Sequence, residues 1–248
     1  MHHQPDKTWS PEARAGHTAV LMPTPIGNNA PHRLVVFGGN YQNKYLNSLY
    51  ILDILADGSV QKWNKPVTMG TTPQPRAGHT CTYMPSSGTR MVMFGGFDGK
   101  KCFNDVHTFC MMTFTWVTVE VNGTPPTPRS GHSATLISNR YWLIHGGCSD
   151  GVFLADTHIL DLQTTTWLPP PVILGVAHVP RFHHTSSLVC NQVIIYGGCS
   201  AGALLNDVTA LDVSSLLPVK PETPLPLPGP PTVLVKDGNI SACFTHAW

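Results

Sequence analysis

A five-residue unit, Arg-x-Gly-His-Thr or a close variant, stands at 14–18, 76–80, 129–133 and 181–185, recurring about every fifty residues. A catalytic motif ordinarily occurs once, so recurrence points to one piece of architecture built repeatedly. Three further features keep the same order in each period. Apolar runs ending in Gly-Gly read "LVVFGG" at 34–39, "MVMFGG" at 91–96, "WLIHGG" at 142–147 and "VIIYGG" at 193–198. Next come "LNSLYILD" at 46–53, "FNDVHTFC" at 103–110, "LADTHILD" at 154–161 and "LNDVTALD" at 205–212. A Trp then closes the first three periods, at Trp63, Trp116 and Trp167.

Each feature reads as a strand. The apolar runs are too short for helices and rich in β-branched residues, as in strands buried on both faces. The pairs Gly38–Gly39, Gly95–Gly96, Gly146–Gly147 and Gly197–Gly198 end them where the chain must turn. The third unit alternates loosely and predicts a half-buried strand. The Trp marks an outer strand whose ring covers the neighbouring sheet. Four short strands in sequence make an antiparallel meander that is unstable alone, so the copies stack around an axis as an all-β propeller. Composition agrees, with 22 Gly, 23 Pro and only 12% charged residues in a chain of 248.

This order resembles the kelch repeat, and the Pro-Arg-x-Gly-His opening is similar to kelch proteins of the host-cell-factor and Rab9-effector type. The resemblance covers about residues 9–213 and implies a propeller that binds another protein. The blades run approximately 14–63, 76–116, 129–167 and 181–212, within a propeller at 1–213. Blade four has no Trp of its own. Its outer strand comes either from the orphan "KTW" at 7–9 or from a hairpin turning at Asp237–Gly238; alternatively the ring is incomplete and an open edge self-associates. Residues 214–248 read as a Pro-rich linker followed by that hairpin or tail. P-x-x-P spacings such as Pro218–Pro221 make this linker a conceivable SH3 or WW ligand, beside the plainer reading as a linker.

Meander topology puts the loops joining strands two and three at the same end as the blade-to-blade loops, forming one face. A protein partner is expected there, since loops on a rigid scaffold carry function. The candidate contacts are Tyr41, Lys44, Tyr45, Phe97, Asp98, Lys100, Lys101, Asp150 and Phe153. Arg14, Arg76, Arg129 and Arg181 open the innermost strands, where they either form a positive ring or pair with carboxylates such as Asp105, Asp156 and Asp207. His17, His79, His132 and His184 are read as framework residues satisfying buried backbone groups rather than as metal ligands. No cofactor, metal or catalytic residue is expected.

The remaining classes are set aside on charge and motif. A net charge of +1 without a basic cluster gives no grip on nucleic acid. No apolar run approaches the ~20 residues of a membrane span. The 7 Cys form no CxxC pair, and with no apolar signal segment they read as reduced thiols of a cytoplasmic or nuclear protein. The competing reading is an enzyme of the sugar-epimerase or copper-oxidase kind on a kelch-like propeller, but no familiar catalytic motif stands outside the repeats. A ubiquitin-ligase adaptor role is one setting that the resemblance implies, although no adaptor segment is visible.

Overall fold

In the computed structural model, residues 10–23, 31–55, 57–175, 177–217 and 232–236 are described. They form a four-bladed β-propeller arrangement. Blade one comprises Thr18–Met22, His32–Phe37, Leu49–Ile54 and Val60–Asn64 in that spatial order. Blade two follows with Thr80–Met84, Arg90–Phe94, Val106–Cys110 and Thr115–Val119. Blade three has Ser133–Ile137, Tyr141–Ser149, Val152–Asp161 and Thr166–Trp167. In blade four, Thr185–Val189, Gln192–Tyr196 and Val208–Asp212 are completed by Thr232–Lys236, which pairs antiparallel with Val208–Asp212. Lys7–Trp9, the Pro-rich run 218–231 and the Asp237–Gly238 turn lie outside the described residues.

Successive blades pack face to face because their central strands are apolar on both sides. Val35, Phe37 and Ile51 of blade one meet Met91, Met93, Phe109 and Trp116 of blade two. Val92, Phe94 and Val106 on the other face of blade two meet Trp142, Ile144, Leu160 and Trp167. Ile137, Leu143 and Ile159 then meet Val193, Ile195 and Leu211. The third unit is therefore more buried than its alternation predicts. In blade two Val106, His107 and Phe109 are all buried, because a central propeller strand has a neighbour over each face. The Trp expectation is met most directly in blade two, where Trp116 lies 4.8 Å, centroid to centroid, from Phe37 of blade one.

The linkers add strands that the repeats do not announce. Met69–Gly70 runs parallel to Thr115–Val119, and Val172–Leu174 runs parallel to Thr232–Lys236. A parallel bridge, Asn122 to Thr166, does the same in blade three. Each linker thus caps the outer edge of the blade it leads into, blunting a row of unpaired backbone groups.

Candidate interaction face

The start of each inner strand is locked to the tip of its own blade's central hairpin. Antiparallel bridges join Ala15 to Asn40, Ala77 to Phe97, Ser130 to Cys148 and Phe182 to Cys199. In blades one and two the blade-to-blade loop is tied to the same end, where Asn47 Nδ2 donates to the Pro73 carbonyl and Asn104 Nδ2 to the Pro126 carbonyl, both at 3.2 Å.

Beneath the tips lie the arginines. Arg76 is fully buried and donates to both Asp105 oxygens at 2.6 and 2.9 Å, and to the Gly95 carbonyl at 3.0 Å. Arg129 repeats this with Asp156 and Gly146, and Arg181 with Asp207 and Gly197. Partial burial disfavours the Asp105 and Asp156 carboxylates, yet their Arg hydrogen bonds, assisted by His107 and His158, hold both well below the usual carboxylate range. Blade one differs. Ser48 replaces the carboxylate, and Arg14 is left with the Gly38 carbonyl at 2.8 Å, the Ser48 hydroxyl at 3.3 Å and Glu12 at 3.5 Å. Three of the four guanidinium groups are therefore paired in the manner of the carboxylate alternative, with their charge compensated inside the blade.

The histidines join neighbouring blades. His79 Nε2 lies 2.9 Å from Thr18 Oγ1, His132 Nε2 2.9 Å from Thr80 Oγ1, and His184 Nε2 2.9 Å from Ser133 Oγ. Their partner is a hydroxyl on the preceding blade rather than the backbone group expected from the sequence. Burial, reinforced by the charge of Arg76, pushes the His79 pKa down to about 3. His184, buried near Arg181, falls to about 4. These rings are neutral at pH 7. With Gly16, Gly78 and Gly131 they surround an axial cavity of about 250 Å³ reached by all four blades. Among the described residues no group of three or more His, Cys, Asp or Glu is placed to hold a metal ion.

On the outer face, the hairpin tips differ from blade to blade. Asn40–Tyr41 pairs with Lys44–Tyr45 through a tight turn at Gln42 and Asn43, leaving the Tyr41 side chain projecting. Tyr45 meets Phe97 of the next blade edge to face at 5.8 Å. Asp98 Oδ1 accepts the Lys100 and Lys101 backbone N–H groups, both at 2.8 Å, which orders that turn; both lysines are exposed, and Lys101 Nζ lies 5.3 Å over the Phe103 ring. Phe153 stacks on Phe182 at 5.0 Å, so blades three and four are also joined by an aromatic pair. Asp150 is exposed at the tip between them.

The repeated framework is matched by a family model, the KLHDC2/KLHL20/DRC7 kelch-repeats domain, over residues 2–175. The chain belongs to the kelch-repeat family. Kelch relatives include the human Rab9 effector protein with kelch motifs, 29% identical over 203 residues, covering 80% of this chain and 52% of that protein. Rat host cell factor 1 is 34% identical over 148 residues, covering 55% of this chain and 7% of its own length. Acyl-CoA-binding domain-containing protein 5 of Arabidopsis thaliana is 36% identical over 155 residues, covering 62% of this chain and 23% of that protein. The chain thus spans about half or less of the length of these relatives. Membership of the kelch-propeller family suggests a protein-interaction module.

Two contacts of this kelch framework escape a reading of the sequence motifs, although His145 itself reads there as a packed core residue replacing the aromatic before Gly-Gly. His145, in the place of the Phe37 and Phe94 rings, is fully buried between Thr157 Oγ1 at 2.9 Å and His178 Nδ1 at 3.3 Å. His178 comes from a linker outside the repeats, so no spacing could announce it. Phe182 stands where the other units have Ala or Ser, and that departure was a usable signal for its stacking role. Among the described residues no helix is long and apolar enough to cross a membrane.

Proposed function

We propose that this chain is a non-catalytic docking module that holds a partner protein against the hairpin tips and linkers at one end of the propeller. The observation that carries this reading is the contrast between two layers of that end. The lower layer repeats nearly bond for bond, with the buried guanidinium groups of Arg76, Arg129 and Arg181 each paired to a half-buried Asp. The upper layer changes chemistry at every blade: Tyr41, Lys44 and Tyr45, then Phe97, Asp98, Lys100 and Lys101, then Asp150 and Phe153. Fixed geometry beneath varied side chains is what selective recognition requires, and projecting aromatics beside cations are the residue types that anchor interfaces. The cation cluster favours a partner surface bearing carboxylates. A ubiquitin-ligase setting and an SH3 or WW contact through 218–231 belong to this reading as possible uses of the docked state. Replacing Lys100 and Lys101 by Glu should abolish co-purification of the partners retained by the wild-type chain while leaving the melting temperature unchanged. Undiminished retention would remove these tips from the interface.

A further inference from the structure

Three blades hand an identical set of groups to the blade that follows. Gly39 N–H donates to the Arg76 carbonyl at 2.8 Å, Arg76 N–H donates to the Leu46 carbonyl at 3.0 Å, and Thr18 meets His79. The same triplet joins Gly96, Phe103 and Thr80 to Arg129 and His132. It joins Gly147, Leu154 and Ser133 to Arg181 and His184. Blade four carries Gly198, Leu205 and Thr185 at the corresponding positions. Among the described residues, none of these makes the corresponding bond to a following Arg-x-Gly-His strand.

The apolar part of this face is equally unmet. Phe37 and Phe94 are buried against His79 and His132, whereas Tyr196, their counterpart, is 53% exposed, and Leu204 beside it is 90% exposed. Together with Thr185, Gly197, Gly198 and Leu205 they line an open cleft of about 530 Å³. At the other end of the arc, blade one displays the complement unused. His17 is exposed where His79, His132 and His184 are buried, and among the described residues neither the Arg14 N–H nor its carbonyl has a backbone partner.

We propose that blade four receives blade one of a second copy of this chain. The cleft is shaped for an Arg-x-Gly-His-Thr strand, and the chain itself presents such a strand whose Arg14 backbone groups have no backbone partner among the described residues. In the contact, Gly198 N–H donates to the Arg14 carbonyl of the second copy, the Leu205 carbonyl accepts its Arg14 N–H, and Thr185 meets its His17. The association is head to tail. Two arcs that close on one another give a dimer, and arcs that do not close give a longer assembly.

Light scattering under reducing conditions (Cys190 is an exposed thiol) should show a mass that rises with concentration above that of one chain. Tyr196→Glu and His17→Glu should each weaken association at least tenfold without altering circular dichroism or melting, and Leu204→Glu serves if Tyr196→Glu folds poorly. Mixing the two single variants should restore association, because one intact cleft and one intact strand remain. A single-chain mass at the highest soluble concentration, assembly that survives both substitutions, or a mixture that stays monomeric would each overturn the proposal. An occupant supplied by another polypeptide would give the first of these results.

Discussion

Blade two and blade four are built from the same four strands, yet one is closed on both faces and the other on only one. In blade two, Met91, Met93 and Phe109 are covered by blade one, and Val92, Phe94 and Val106 by blade three. In blade four, Val193, Ile195 and Leu211 are covered by blade three, while Tyr196 and Val208 on the opposite face reach solvent. The difference teaches that the repeat motif encodes half of an interface. An Arg-x-Gly-His strand has its structural value only where a preceding Gly-Gly turn receives it, so stability is stored between blades as much as within them.

The largest effect expected from this comparison concerns the arginines. Arg76→Ala leaves the Asp105 carboxylate, a third exposed, with His107 at 2.8 Å and removes a fully buried side chain with its charge-assisted hydrogen bonds, and should cost about 2–4 kcal/mol. Arg14→Ala, which strands no carboxylate in its own blade, should cost well under half as much. Urea unfolding of both variants checks the contrast. Equal losses would show that the ion pair within each blade contributes nothing special.

A finer test uses two glycines with the same backbone. Gly38 and Gly197 both have φ +66°, so the strain of adding a Cβ is common to both. At Gly38 that Cβ would approach the Arg76 carbonyl oxygen of the next blade to 2.7 Å, whereas at Gly197 only the Leu205 carbonyl is near, at 3.4 Å. Gly38→Ala should therefore be the more destabilising by about 1–3 kcal/mol, the usual cost of overpacking. Thermal unfolding of the two variants at low protein concentration measures this difference. A smaller loss at Gly38 would mean that the blades separate easily.

The periodic parts of the molecule were legible because they are fixed by local physics. The alternation of short apolar runs, Gly-Gly turns and "LND" strands specifies a blade regardless of its neighbours. What lay beyond reading came from outside the period. The linker strands Met69–Gly70 and Val172–Leu174 are too short for any pattern, although "MGTT" and "NGTP" place a Gly against the outer strand twice. A Cβ at Gly70 would collide with the Trp116 carbonyl, and one at Gly123 with the Trp167 carbonyl, so these glycines carry the signal of the linker strands. Burial of the third unit was underestimated because alternation describes one sheet, whereas a propeller strand belongs to two interfaces. On the candidate face, residue types such as Tyr45 and Phe97 were visible in sequence, but their contact across two blades was not.

The closed interfaces also make a pH signature that an open one lacks, since each of the three buries a neutral histidine. Above about pH 6.5, His79 is uncharged in both the folded and the unfolded chain and stability is independent of its proton. As pH falls from 6.5 toward its folded value of about 3, the unfolded chain takes up the proton and the folded chain does not. Stability should therefore fall through this window, by up to about 1.4 kcal/mol per pH unit for each such ring. The Asp105 and Asp156 carboxylates, held low by their arginines, add their own loss only below about pH 4, where the unfolded chain begins to protonate. Urea midpoints around pH 7, 6 and 5 thus isolate the histidines. His79→Gln should lower stability at neutral pH and flatten the slope between pH 6 and 5 by close to one histidine's share. A slope unchanged by this substitution would mean that the ring is already solvated, and that the seam between blades one and two is no tighter than the uncovered face of blade four.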